Sequence, residues 1–142
     1  MPIATCNEIY ASHYSVLISE FKRFIGEAEV EIRDIVIGTD ESRLYLELTQ
    51  NASFAIGKGE AAAIALAKQL NGILASNNYA DVSRFVREFN LEHISTDLIL
   101  MAALQGGLID ERTGNSIWMA MLARNIKLPP GSFSDFLKSH KQ

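Results

Sequence analysis

The run Gly57-Lys-Gly-Glu60-Ala-Ala-Ala-Ile-Ala-Leu-Ala67 constrains this chain more than any other stretch, because a helix built from it is apolar nearly all round. Alanine is the best helix former, and a helix without a polar face has to be covered on every side. Glu60 opens that helix. A carboxylate there is expected to face solvent, a cation, or the free N–H groups of its own first turn. Asn71-Gly72 stops the helix, and Ile73-Leu74-Ala75 follows as a short buried strand ending in Ser76-Asn77-Asn78. In an open α/β sheet, ligands gather beyond the carboxyl ends of strands, so these three polar residues are where chemistry is expected.

The flanking segments supply the rest of a fold. Thr5-Cys6-Asn7-Glu8 spells a capping box, and Tyr10, Tyr14, Leu17, Ile18, Phe21, Phe24 and Ile25 continue at helical spacing to Gly26, which predicts one long amphipathic helix. Val30 to Ile37 reads as a strand that begins alternating and ends continuous. Thr39 or Asp40 caps a helix carrying Leu44, Tyr45 and Leu48. Val82, Phe85, Val86 and Phe89 mark another helix, and Leu91 to Ile94 a last short strand. Thr96-Asp97 begins a helix that ends at Gly106-Gly107, and Asp110 to Asn125 forms the next despite Gly114. Beyond the break at Leu128-Pro129-Pro130-Gly131, Ser132 caps a terminal helix. Strands alternating with helices predict an α/β fold, a doubly wound parallel sheet with helices on both faces. The whole chain, 1–142, reads as a single domain, with 97–142 as its helical carboxyl-terminal part.

An acid opening an Ala-rich helix, followed by a strand with polar residues at its end, resembles the PIN domain family of metal-dependent ribonucleases, which includes many bacterial toxins. Gly57-Lys-Gly-Glu60-Ala-Ala-Ala-Ile-Ala-Leu-Ala67 matches the first half of the family pattern. Ser76-Asn77-Asn78 matches the second half in position only, with amides where the family carries Asp. The likeness runs to about Leu128. It implies a Mg²⁺ or Mn²⁺ site: Glu8 matches the family acid that follows a Pro, here Pro2, and Glu60 and Asp81 supply further carboxylates. Asn77 and Asn78 would be neutral oxygen ligands, with Ser76 behind them. The resemblance also implies that the family's first strand and its Asp are missing before Pro2, so the domain is amino-terminally incomplete. Glu8, Glu60 and Asp81 each have a plainer role as well, in the capping box for Glu8 and at helix first turns for the other two.

Other chemistries find less support. Gly57-x-Gly59-x-x-Ala62 approaches the dinucleotide fingerprint, but it does not follow a good strand, and Asn77 and Asn78 stand where the ribose-binding acid belongs. There is no P-loop, and His13, His93 and His140 are scattered. A single cysteine, Cys6, fits a reducing, cytoplasmic setting, and no apolar run approaches bilayer-spanning length. With a net charge of -4, the chain carries no broad basic footprint for nucleic acid. Asn51-Ala52-Ser53 is a glycosylation sequon by chance.

Two functions follow. One is a non-enzymatic or weakly active PIN-like protein that binds nucleic acid or a partner, because amides in place of carboxylates remove charge that a cation needs. The other is a Mg²⁺- or Mn²⁺-dependent endoribonuclease of toxin type, with RNA as substrate and an antitoxin-type protein as partner. A homodimer is expected in either case. In the family the missing first strand lies mid-sheet, so the strands near Pro2 and at Ile73 to Ala75 would be left with unpaired main-chain groups unless they pair directly or a second copy pairs with them, and the amino-terminal segment and the Trp118 helix are the expected contacts. Trp118, Met119, Met121 and Leu122 are otherwise ordinary core.

Overall fold

The structure is a computed structural model, and it describes residues 1–11, 15–27, 30–51 and 56–140. His13, Tyr14, Ala52 and Ser53 lie outside the described residues, as do the side chains of Glu8 and Leu17. The chain divides into two compact units, Met1–Leu74 with Asp81–Glu92, and Ala75–Ala80 with His93–Gln142. Among the described residues, no helix is long and apolar enough to cross a membrane.

The first unit is built on α4 (Lys58–Leu70), and seven of its residues are buried: Gly59, Ala61, Ala62, Ile64, Ala65, Leu66 and Ala67. Small side chains let neighbouring backbones approach, and the neighbours are helices. Both α1 (Ile3–Tyr10) and α3 (Asp40–Gln50) pack on α4. Leu48 from α3, Leu74 from β1 (Ile73–Ala75), and Val82 and Phe85 from α5 (Tyr79–Glu88) complete the core. The local signals hold where they can be met within a few residues. Thr39 is the N-cap of α3 and accepts from Ser42 N. Asn71 ends α4 in the left-handed region at φ 51°, with Gly72 N donating to Ala67 O at 2.9 Å.

The doubly wound sheet is not formed. Among the described residues the only sheet is the parallel pair of β1 with β2 (Glu92–Ile94), three residues each, and the chain is mostly helical. In β1 only Leu74 is buried, while Ile73 is 60% exposed, so the strand lacks the continuous apolar character that a sheet covered on both faces requires. The expected strand over Val30 to Ile37 is reduced to a single parallel bridge between Arg33 and Pro2. Several of its apolar residues are left exposed, Val36 by 60% and Ile37 by 96%. A covering for α4 was needed, and the helices α1 and α3 supply it.

The amino-terminal helix also departs from expectation. It begins at Ile3, where Cys6 N donates to Pro2 O, so Thr5 lies inside α1 and is not its N-cap. Thr5 and Glu8 therefore do not stand at the N-cap and N3 positions that a capping box requires. A second helix, α2 (Ser15–Glu27), follows in place of one continuous helix, and Tyr10 of α1 meets Phe21 of α2 edge to face at 5.5 Å.

The second unit packs α6 (Thr96–Gln105), α7 (Glu111–Leu122) and α8 (Phe133–Ser139) around Leu100, Trp118, Phe133, Phe136 and Leu137. Trp118 is fully buried, and its Nε1–H donates to Gly131 O at 2.9 Å. Asp110 caps α7 by accepting from Thr113 N at 2.7 Å. Ser132 and Asp135 form a reciprocal capping box at the start of α8. Hydrogen bonds from the Thr113 side chain and main chain hold the Asp110 carboxyl below its ordinary value of 3.8, and bonds from Ser132 do the same for Asp135.

Acid is therefore expected to loosen this unit. A carboxyl whose folded pKa is depressed contributes stability above its unfolded pKa and loses it as pH falls through the folded value. Urea midpoints followed by Trp118 emission should fall as pH drops below the ordinary carboxylate value, and an Asp110→Asn, Asp135→Asn double variant should lose much of that slope. Both carboxyls are exposed, so the change is modest. An identical slope in the variant would remove these caps from the account.

Candidate functional site

The end of β1 is knitted to the strand and helix that follow in the second unit. Ser76 N donates to Ile94 O at 3.1 Å, and Asn78 N donates to Ser76 Oγ at 3.1 Å, a tight side-chain turn. Nε2 of His93 lies 2.8 Å from Ser76 O. A carbonyl can only accept, so Nε2 carries the proton. Thr96 N donates to Asn77 Oδ1 at 2.8 Å, which ties the start of α6 to the strand end. Tyr79 lies with its ring 5.2 Å from that of His93 and is 51% exposed.

Beside this loop lies an open hollow of about 420 Å³, lined by Asn77, Asn78, Ile126 and Lys127. The last two are placed by the end of α7. Asn125 adopts the left-handed conformation at φ 58°, and Ile126 N returns to Met121 O at 3.1 Å. Leu128 then packs against the core, so Ile126 and Lys127 are held between a turn and an anchor. Among the described residues, the charged group lining the hollow is the Lys127 ammonium. No significant match to a family model, a curated protein or a solved structure is found.

The expected metal ligands are distributed as follows. Glu60 is half-buried in the first turn of α4, and Asp81 is exposed in the first turn of α5, both in the first unit. Glu8 lies on α1 in that same unit. Ser76, Asn77 and Asn78 belong to the second unit, and of these Asn77 and Asn78 share the hollow. Among the described residues, no group of three His, Cys, Asp or Glu is placed to hold a metal ion.

Sequence reasoning did not reach Lys127, His93 or Thr96 as parts of this site. His93 lies within the last strand and Thr96 at a recognisable helix start, so both positions read as local structure. Nothing local links Lys127 to Asn77, fifty residues earlier in the chain. A second hollow, of about 210 Å³, lies in the first unit between Ile3, Ile35, Tyr45 and Ala62, with Asp34 and Ser42 as its polar lining. Its lining is mainly apolar.

Proposed function

We propose that this chain is a non-enzymatic binding protein whose Asn77, Asn78 and Lys127 hollow takes a phosphate of single-stranded RNA directly, with no cation between. The observation that carries this reading is the donor character of the hollow. Because Asn77 Oδ1 already accepts from Thr96 N, what Asn77 mainly has left to offer is its Nδ2 amino group, a donor. Lys127 adds a positive charge and three more donors. A hard divalent cation asks for the opposite, several oxygens and negative charge. Ile126 offers an apolar wall, and the exposed ring of Tyr79, next in the chain to Asn78, offers a stacking surface for a base.

The chain is acidic, so binding rests on this local feature and is weak. Fluorescence anisotropy with a short labelled single-stranded RNA in EDTA should show binding that Lys127→Glu abolishes, with circular dichroism unchanged. One phosphate contact gives a shallow salt dependence, a log–log slope of about −0.7. Binding that ignores Lys127→Glu would reject the proposal. Cleavage of the RNA with Mn²⁺, lost in Glu60→Gln, would replace it with the ribonuclease reading.

A further inference from the structure

The segment Glu31–Asp34 presents one bonded edge and one bare edge. Met1 N and Ile3 N donate to the carbonyls of Glu31 and Arg33, and Arg33 N donates to Met1 O at 2.9 Å. The odd residues thus turn their main-chain groups toward the amino terminus. In an extended chain the even residues, Ile32 and Asp34, must then turn theirs to the other side. Among the described residues, no main-chain hydrogen bond reaches Ile32 or Asp34. Both residues are exposed, Ile32 by 41%. An edge of this kind is a template for another extended chain.

The side chains say which chain fits. Two copies related by a two-fold axis pair antiparallel, and the outward residues allow three central registers: Ile32 on Ile32, Ile32 on Asp34, or Asp34 on Asp34. The second sets Arg33 against Arg33, and the third sets Asp34 against Asp34, both of them like-charge contacts. The first sets Glu31 of each copy against Arg33 of the other, twice, and lays Ile32 against Ile32. Within one chain Glu31 and Arg33 already lie side by side, with Arg33 Nε 2.9 Å from Glu31 Oε1, so the four charges alternate across the pair.

We infer that the chain forms a two-fold dimer through antiparallel pairing of this edge, centred on Ile32, with a second copy of itself as the occupant. The inference does not depend on the RNA reading. It gives the homodimer expected from the sequence a defined edge, and it uses the amino-terminal segment as a support that holds the strand straight.

The test uses charge exchange and a cross-link. Glu31→Arg and Arg33→Glu variants should each sediment as monomers at concentrations where the unaltered chain is a dimer, because each places like charges opposite one another twice. Mixed in equal amounts, the two should recover the dimer. Thermal melts of each variant separate this from misfolding. A single Ile32→Cys should form a disulfide-linked dimer on mild oxidation, whereas Arg33→Cys should cross-link poorly. Cys6 is buried, and the unaltered chain is the control. A monomer up to the high micromolar range, a dimer indifferent to both charge variants, or preferential cross-linking at position 33 would each overturn the inference.

Discussion

Replacing Trp118 with alanine is expected to unfold the second unit while leaving the first largely intact. Trp118 is completely buried, with ring centroids 5.7 Å from Phe133 and 5.4 Å from Phe136. Truncating a buried aromatic of this size costs about 3–5 kcal/mol, from lost transfer energy and the cavity left behind. Here a further loss follows. The Gly131 carbonyl gives up the indole N–H that ties the turn before α8 to α7, and an unpaired acceptor carries its own desolvation cost. Set against a typical domain stability of about 5–15 kcal/mol, the sum removes most of what a unit of three helices can have. Hydrogen exchange should show the amides of α6, α7 and α8 losing protection together, while α4 keeps its own. Uniform loss across both units would mean that they unfold as one. A Trp118→Phe variant should lie between, keeping the ring contacts but losing the bond to Gly131.

Gly114→Ala should also destabilise the second unit, although helix propensity alone argues the reverse. In an exposed helix interior, glycine to alanine gains about 1 kcal/mol. At position 114, however, a Cβ would stand 2.4 Å from two ring atoms of Phe133. Nothing can yield easily, because Phe133 is fully buried and packed against Trp118 and Phe136. Overpacking of this kind costs about 1–3 kcal/mol, which exceeds the propensity gain. Urea unfolding followed by Trp118 emission should therefore show a lower midpoint for Gly114→Ala. Adding Phe133→Leu should make the alanine less harmful than it is alone, since the ring atoms in conflict are gone. A Gly114→Ala variant more stable than the parent would show that α7 and α8 are not in this close contact.

The sequence carried Gly114 as an oddity within a helix, and only the packing of α8 gives it a reason. The same division runs through the site. Ser76, Asn77 and Asn78 could be singled out because they follow a short apolar run after a clear helix stop. That Asn77 spends its carbonyl oxygen on Thr96, and that Lys127 shares its hollow, depends on residues nineteen and fifty positions away.

What the sequence determined by itself is what a few neighbouring residues can settle. Thr39, Asp110 and Ser132 cap their helices because a side-chain oxygen reaches an N–H three residues on. Asn71 ends α4 because it tolerates the left-handed turn that returns Gly72 N to Ala67 O. The burial of α4 was equally legible, since no arrangement leaves so apolar a helix in water. Tertiary structure alone decided what covers it. An apolar surface is satisfied by any apolar partner, so the alanines of α4 accept α1 and α3 as readily as a sheet. A strand needs a specific partner, because its N–H and C=O groups must be met one by one from distant chain. Among the described residues, the strand-like pairing of this segment is confined to Glu31 and Arg33 with Met1 and Ile3, and so the alternation that reads as a strand ends as one bridge and an open edge.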